Sequence, residues 1–156
     1  MKKYLLIMLL LAGSLLVADI RDIAIDGGQY TALVGDTVRV YVNAMDITKD
    51  MSVIAFQFDL YYNQENLQYI THKQGDLFEN AMLMANGDND GLVKVACSHW
   101  QPQEGSGTLV ELLFMAKAPG ETNLQFDKFK MNSSAMTNIY DPKVKILSGS
   151  ATKSKD

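Results

Sequence analysis

The stretch "IAFQFDLYY" limits what this chain can fold into. Ile54, Phe56, Phe58, Leu60 and Tyr62 share one parity, and Ala55, Gln57, Asp59 and Tyr61 the other. A strand sends successive side chains to opposite faces, so the first set reads as core and the second as surface. The same two-residue period recurs along the chain, and no window of about 11 residues carries a helical repeat. Strand-like segments lie at 20–25, 30–34, 37–44, 52–62, 67–72, 80–85, 92–99, 108–117, 122–129 and 143–148. Between them stand the turn signals "DGG", "VGD", "NGDNDG", "EGSG" and "APG". In "TLVELLFMAK", Val110, Leu112, Phe114 and Ala116 form a core face, while Leu109, Glu111, Leu113 and Met115 form an unusually apolar opposite face. The pattern predicts an all-β fold, a two-sheet antiparallel sandwich or jelly roll.

The chain's 156 residues suffice for one domain with a full core and are too few for two. With 14 basic and 18 acidic residues the net charge is −4. The lysines and arginines are scattered, which argues against nucleic acid as a partner. The start, "MKKYLLIMLLLAGSLLVA", has two lysines and then an apolar run from Tyr4 to Val17. That run is short for a membrane span and fits a secretory signal peptide over 1–18. "LLAGS" has Ser14 where a lipidated cysteine would stand, which rules out a lipid anchor of that kind. The expected organisation is a signal peptide over 1–18, one β-sandwich domain over 19–148 and a polar tail over 149–156. No membrane span is expected after cleavage, and the expected location is extracellular or periplasmic.

Chemistry-bearing motifs are few. Asn86-x-Asp88-x-Asp90-Gly91 opens like a calcium loop. Such a loop needs a bidentate carboxylate at its twelfth position and a following helix. Here the twelfth residue is Cys97 and the following "LVKVACSHW" alternates like a strand. "NGDNDG" therefore reads as a hairpin turn, and no metal or other cofactor is expected. Cys97 is the one cysteine and reads as a buried, inert thiol. His72 and His99 lack metal-ligand spacing and read as solvated strand-end residues. Asp59 and Glu111 read as surface charges rather than a catalytic pair. There is no phosphate loop and no nucleophile elbow, so the chain reads as a non-enzyme. Trp100, the one tryptophan, precedes Gln101-Pro102 and reads as a ring packed at the core edge or under a loop, not a sugar platform.

Four segments in order carry a family resemblance: "VGDTVRVYVNAMD", "IAFQFDLYYNQENLQYITHKQGDLF", "GLVKVACSHW" and "GTLVELLFMAKAPGETNLQF". Their succession resembles the landmarks of a cohesin domain from about Ile20 to Leu147. The resemblance implies a nine-stranded jelly-roll sandwich and a non-catalytic module that binds a protein partner, typically one bearing a dockerin, in extracellular assemblies for polysaccharide degradation. It also implies a binding sheet built from the three strands around "IAFQFDLYY", "LVKVACSHW" and "TLVELLFMAK". The outward residues there would be Ala55, Gln57, Asp59 and Tyr61, then Lys94, Ala96 and Ser98, then Glu111, Leu113 and Met115. Two departures stand out. The family's Tyr-Asp-Pro is Tyr62-Asn63-Gln64 here, and Ala55 and Gln57 occupy the places where type I cohesins carry an Asn and an Asp that bond dockerin. A carbohydrate-binding module on the same sandwich, with a polysaccharide partner, is the alternative function. A structural subunit of an extracellular assembly is a third.

Overall fold

The computed structural model describes residues 19–87 and 90–149. The signal peptide over 1–18 and the tail beyond Gly149 lie outside the described residues. Thirteen strand segments run through the described chain. They are β1 (Ala24–Asp26), β2 (Gln29–Leu33), β3 (Thr37–Ile47), β4 (Val53–Tyr61), β5 (Leu67–Gln74), β6 (Met82–Gly87), β7 (Leu92–Gln103), β8 (Gly105–Ala116), β9 (Gly120–Asn123), β10 (Gln125–Met131), β11 (Ser134–Ala135), β12 (Ile139–Tyr140) and β13 (Lys143–Leu147). The only helical pieces described are two single 3-10 turns, so the all-β sandwich expected from alternation is what forms.

The strands build two principal sheets, ordered β12-β1-β3-β8-β5 and β11-β10-β4-β7-β6, and a small sheet ordered β2-β13-β9. Pairing is antiparallel except for β1 with β12 and β2 with β13, which run parallel. Inward residues of the sheets meet in one core: Val38, Val40 and Val42 on β3, Phe56, Phe58 and Leu60 on β4, Val93 and Val95 on β7, Leu112 and Phe114 on β8. Phe58 stacks on Phe129 at 4.8 Å and meets Phe126 edge-on at 5.3 Å. Phe78, from the loop before β6, meets Phe56 edge-on at 5.1 Å.

The nine-strand expectation undercounts for local reasons. The segment read as one strand over 122–129 divides at Leu124, which is fully buried and donates its N–H to the Pro142 carbonyl at 3.0 Å. The chain there passes from the small sheet to β10. Residues 20–22 form a 3-10 turn rather than a strand, because Asp19 caps it and accepts from Arg21 N–H at 3.1 Å. Two β-bulges reverse side chains that strict alternation had placed. One lies between Val53 and Ala55, so Val53 is buried and Ile54 is exposed. The other lies beside Leu109, which turns into the core instead of outward. A bulge leaves one residue unpaired and shifts the parity of those beyond it.

At the start of the crossover between the sheets, Gly75 lies against β8. Its N–H donates to the Leu109 carbonyl at 3.2 Å, and Leu77 N–H donates to the Thr108 carbonyl at 3.0 Å. "NGDNDG" closes a hairpin, with Asn86 opposite Lys94 and Gly87 opposite Val93. Asp88 and Asn89 lie outside the described residues. Among the described residues, no helix is long and apolar enough to cross a membrane.

Candidate partner-binding face

The pairing of β4 with β7 puts Ala55 opposite Ser98, Gln57 opposite Ala96 and Asp59 opposite Lys94. Tyr61, at the end of the same row, is exposed opposite Leu92. Seven of the expected residues therefore share one outward face. β10 extends it on one side with Asp127 opposite Asp59 and Lys130 opposite Gln57. A bulge between these two positions turns Lys128 to φ 51° and brings its ammonium to 3.3 Å from the Asp59 carboxylate. That hydrogen bond, then the Coulombic pull of Asp59 and Asp127, raises the Lys128 pKa. Asn132, also at φ 51°, replaces a ladder rung beside β4: its Oδ1 accepts from Ile54 and Ala55 N–H at 3.0 and 3.2 Å, and its Nδ2 donates to the Ser52 carbonyl at 3.1 Å.

On the other side β6 adds two residues that sequence reasoning missed. Met82 lies opposite Ser98 and is 72% exposed; Met84 lies opposite Ala96 and is 59% exposed. They stand beside the short side chains of Ala55, Ala96 and Ser98, which gives the face its relief. One groove of about 280 Å³ runs between Met84, Asn86, Lys94, Gln57, Asp59 and Lys128. A smaller one, about 150 Å³, lies between Met82, Met84, Ala55 and Asn132. Cys97 is buried beneath the second, and burial pushes its thiol pKa up to about 11, which suits the inert reading. The missed signal was "NAMLMA", which is apolar at both parities. Such a segment reads as a strand buried on both sides until its position in the sheet is known.

The remaining three expected residues are elsewhere. Glu111, Leu113 and Met115 belong to β8, which pairs with β3 and β5 in the opposite sheet. The chain changes sheets between the end of β7 at Gln103 and the start of β8 at Gly105. Leu113 lies between Arg39 and Thr71 in register and is only 9% exposed, whereas Met115 is 43% exposed. Glu111 is bound by Arg39 at 3.0 Å. Leu113 and Met115 therefore do not share the sheet of Ala55, Ala96 and Tyr61, although the resemblance implies that they do. Asp59 and Glu111 likewise face away from one another on separate sheets.

Three further readings change. Trp100 is 77% exposed rather than packed at the core edge, and its ring stacks on His99 at 5.5 Å. His99 is half-buried, and its Nδ1 accepts from Gln101 N–H at 2.9 Å and lies 3.0 Å from Gln103 Nε2. His72, also half-buried, has its Nδ1 at 3.1 Å from the Tyr69 hydroxyl. Neither histidine is simply solvated.

The cohesin domain family matches residues 23–153. The chain belongs to the cohesin family. Solved cohesins share its fold at low identity. A non-cellulosomal cohesin from the hyperthermophilic archaeon Archaeoglobus fulgidus is 18% identical with a TM-score of 0.70, over 81% of this chain and 91% of that one. A type I cohesin solved in a cohesin–dockerin complex from Clostridium thermocellum is 21% identical with a TM-score of 0.71, over 80% and 99%. The cohesin CaCohA2 from Clostridium acetobutylicum is 17% identical with a TM-score of 0.70, over 83% and 92%. No curated protein matches the sequence.

Proposed function

We propose that this cohesin is a secreted, non-catalytic receptor module. Its protein partner, of the dockerin-bearing type, docks on the outward face of β10, β4, β7 and β6. The observation that carries the reading is the exposure of Met82 and Met84 over a floor of Ala55 and Ala96. Exposed methionines are polarizable, adaptable contact residues, and a contiguous apolar patch on a secreted domain marks an interface. Gln57, Asp59, Lys94 and Lys128 surround this floor as a polar rim of the kind found at non-obligate interfaces. The likeness to a cohesin solved with a dockerin supports the same partner class. With Ala55 and Gln57 in place of the type I Asn and Asp, recognition leans on apolar contact more than on side-chain hydrogen bonds. The leader over 1–18 would direct export, and an extracellular assembly acting on polysaccharide is the setting proposed.

The test is calorimetry with dockerin modules from the same organism. Met82→Asp and Met84→Asp are each expected to weaken binding by about tenfold or more, the scale of a central interface residue. Both positions are exposed, so stability should move by no more than about 0.5 kcal/mol. Met115→Asp, on the opposite sheet, should bind as the unaltered protein does. Equal binding by all three variants would remove the proposed face.

The exposure of Trp100 favours one second reading, a sugar ring stacked on its indole. Retention on insoluble polysaccharide that disappears in Trp100→Ala would establish it; failure of the unaltered protein to be retained would end it.

A further inference from the structure

The groove between Met84, Asn86, Gln57, Asp59, Lys94 and Lys128 is lined by two ammonium groups and one carboxylate. The carboxylate is already engaged. The Asp59 side chain is 16% exposed and lies 3.3 Å from the Lys128 ammonium, which is also 3.8 Å from Asp127. The bulge between Asp127 and Lys130 is what turns Lys128 over Asp59. Lys94 stands on β7, opposite Asp59 on one side and Asn86 on the other. It is exposed, and the ion pairs formed among the described residues leave its ammonium out. Of its two neighbours in register, Asn86 is neutral and Asp59 is neutralised by Lys128. The charge this groove has left to offer is therefore positive.

In water an unpaired ammonium is fully solvated. Under a partner it is not. A partner that covers Met84 closes over the groove that Met84 and Lys94 share. An ammonium taken out of water without a counter-ion carries a large penalty. A basic side chain entering this groove would meet Lys94 and Lys128 and find Asp59 taken. A neutral one would leave Lys94 covered and unpaired. A carboxylate would meet both lysines and remove the penalty. We infer that Lys94 is a specificity-determining residue of this face, and that the partner it selects places an aspartate or glutamate side chain in the groove between Lys94 and Lys128. Selection works as much by exclusion as by attraction, because partners without that carboxylate bury an unpaired charge. The contact acts at short range, once the partner is seated, so it slows departure more than it speeds arrival. The inference rests on the docking face proposed above and adds the charge of the residue that enters its groove.

Calorimetry and dissociation kinetics with dockerin modules from the same organism test it. Lys94→Met keeps the apolar stem and removes the charge. It should weaken binding by about tenfold or more, through faster dissociation and with the melting temperature unchanged. Lys94→Glu should weaken binding further. Replacing one acidic residue of the bound module by lysine should then restore binding to Lys94→Glu while weakening binding to the unaltered protein. Met82→Asp reads the face independently. If Met82→Asp weakens binding and Lys94→Met does not, the face stands and the inference is overturned. Tighter binding by Lys94→Met than by the unaltered protein also overturns it, since Lys94 would then be covered without a counter-ion. So does a loss in both Lys94 variants that no acidic-to-lysine replacement in the module restores. If neither Met82→Asp nor Lys94→Met changes binding, the face and the inference fall together.

Discussion

Phe58→Ala is expected to destabilise the fold by about 3–5 kcal/mol, the range for removing a large aromatic from a packed core. Phe58 is 2% exposed. It stacks on Phe129 at 4.8 Å, meets Phe126 edge-on at 5.3 Å and lies 6.3 Å from Phe56. Two of these rings come from β10, the strand with the bulge that delivers Lys128 to Asp59. Truncation therefore opens a cavity under the seam between β4 and β10, and β10 cannot close it without undoing the bulge. Phe58→Leu keeps most of the volume and should cost under about 1.5 kcal/mol. Denaturant unfolding followed by near-ultraviolet circular dichroism measures both. A loss in Phe58→Ala no greater than in Phe58→Leu would show that the aromatic cluster is not what holds the two strands together.

Gly75→Ala is the second large effect, about 3 kcal/mol, at the upper end of the usual cost of overpacking. In a domain of this size that corresponds to a fall in melting temperature of about 10 °C. A methyl group at Gly75 would overlap the Thr108 carbonyl oxygen and crowd the Leu109 carbonyl carbon, both main-chain atoms. Neither side has room to yield. Thr108 is held by its N–H to Asp76 Oδ1 at 2.7 Å and by its hydroxyl to Asn43 Oδ1 at 2.8 Å, and Gly75 N–H is bonded to Leu109. The adjacent Leu109 is the residue that its bulge turns into the core. Pushing β5 away from β8 would disturb that packing as well. A melting temperature within about 2 °C of the unaltered protein would falsify this account.

What the sequence shows and what it hides divide along physical lines. The parity of β4 and β7 was legible because one face of each is polar enough to stand out. It put Ala55, Gln57, Asp59, Tyr61, Lys94, Ala96 and Ser98 on outward positions, as the register shows. Parity says which face a residue takes and nothing about which sheet its strand joins. The family resemblance is what groups Glu111, Leu113 and Met115 with the sheet of β4 and β7, and parity offers no check on it, although they are absent from that sheet. Ile54 and Leu109 were misplaced because a bulge resets parity through backbone geometry that leaves no compositional trace at those residues. Met82 and Met84 are hidden in the sequence because "NAMLMA" is apolar at both parities, so nothing in it marks which set faces outward beside Ser98 and Ala96.

Asp59 already has its counter-ion, and the face intermixes Asp59 and Asp127 with Lys94, Lys128 and Lys130. Alternating signs at such short range cancel within a few ångströms and project little field into solvent. A partner docking on the proposed face would therefore not be drawn in from a distance. Its arrival would be set by diffusion and orientation, with association rates near the ordinary ~10⁵–10⁶ M⁻¹s⁻¹ and little response to ionic strength. What would distinguish one partner from another on such a surface is how long it stays, and so how completely it covers the exposed Met82 and Met84.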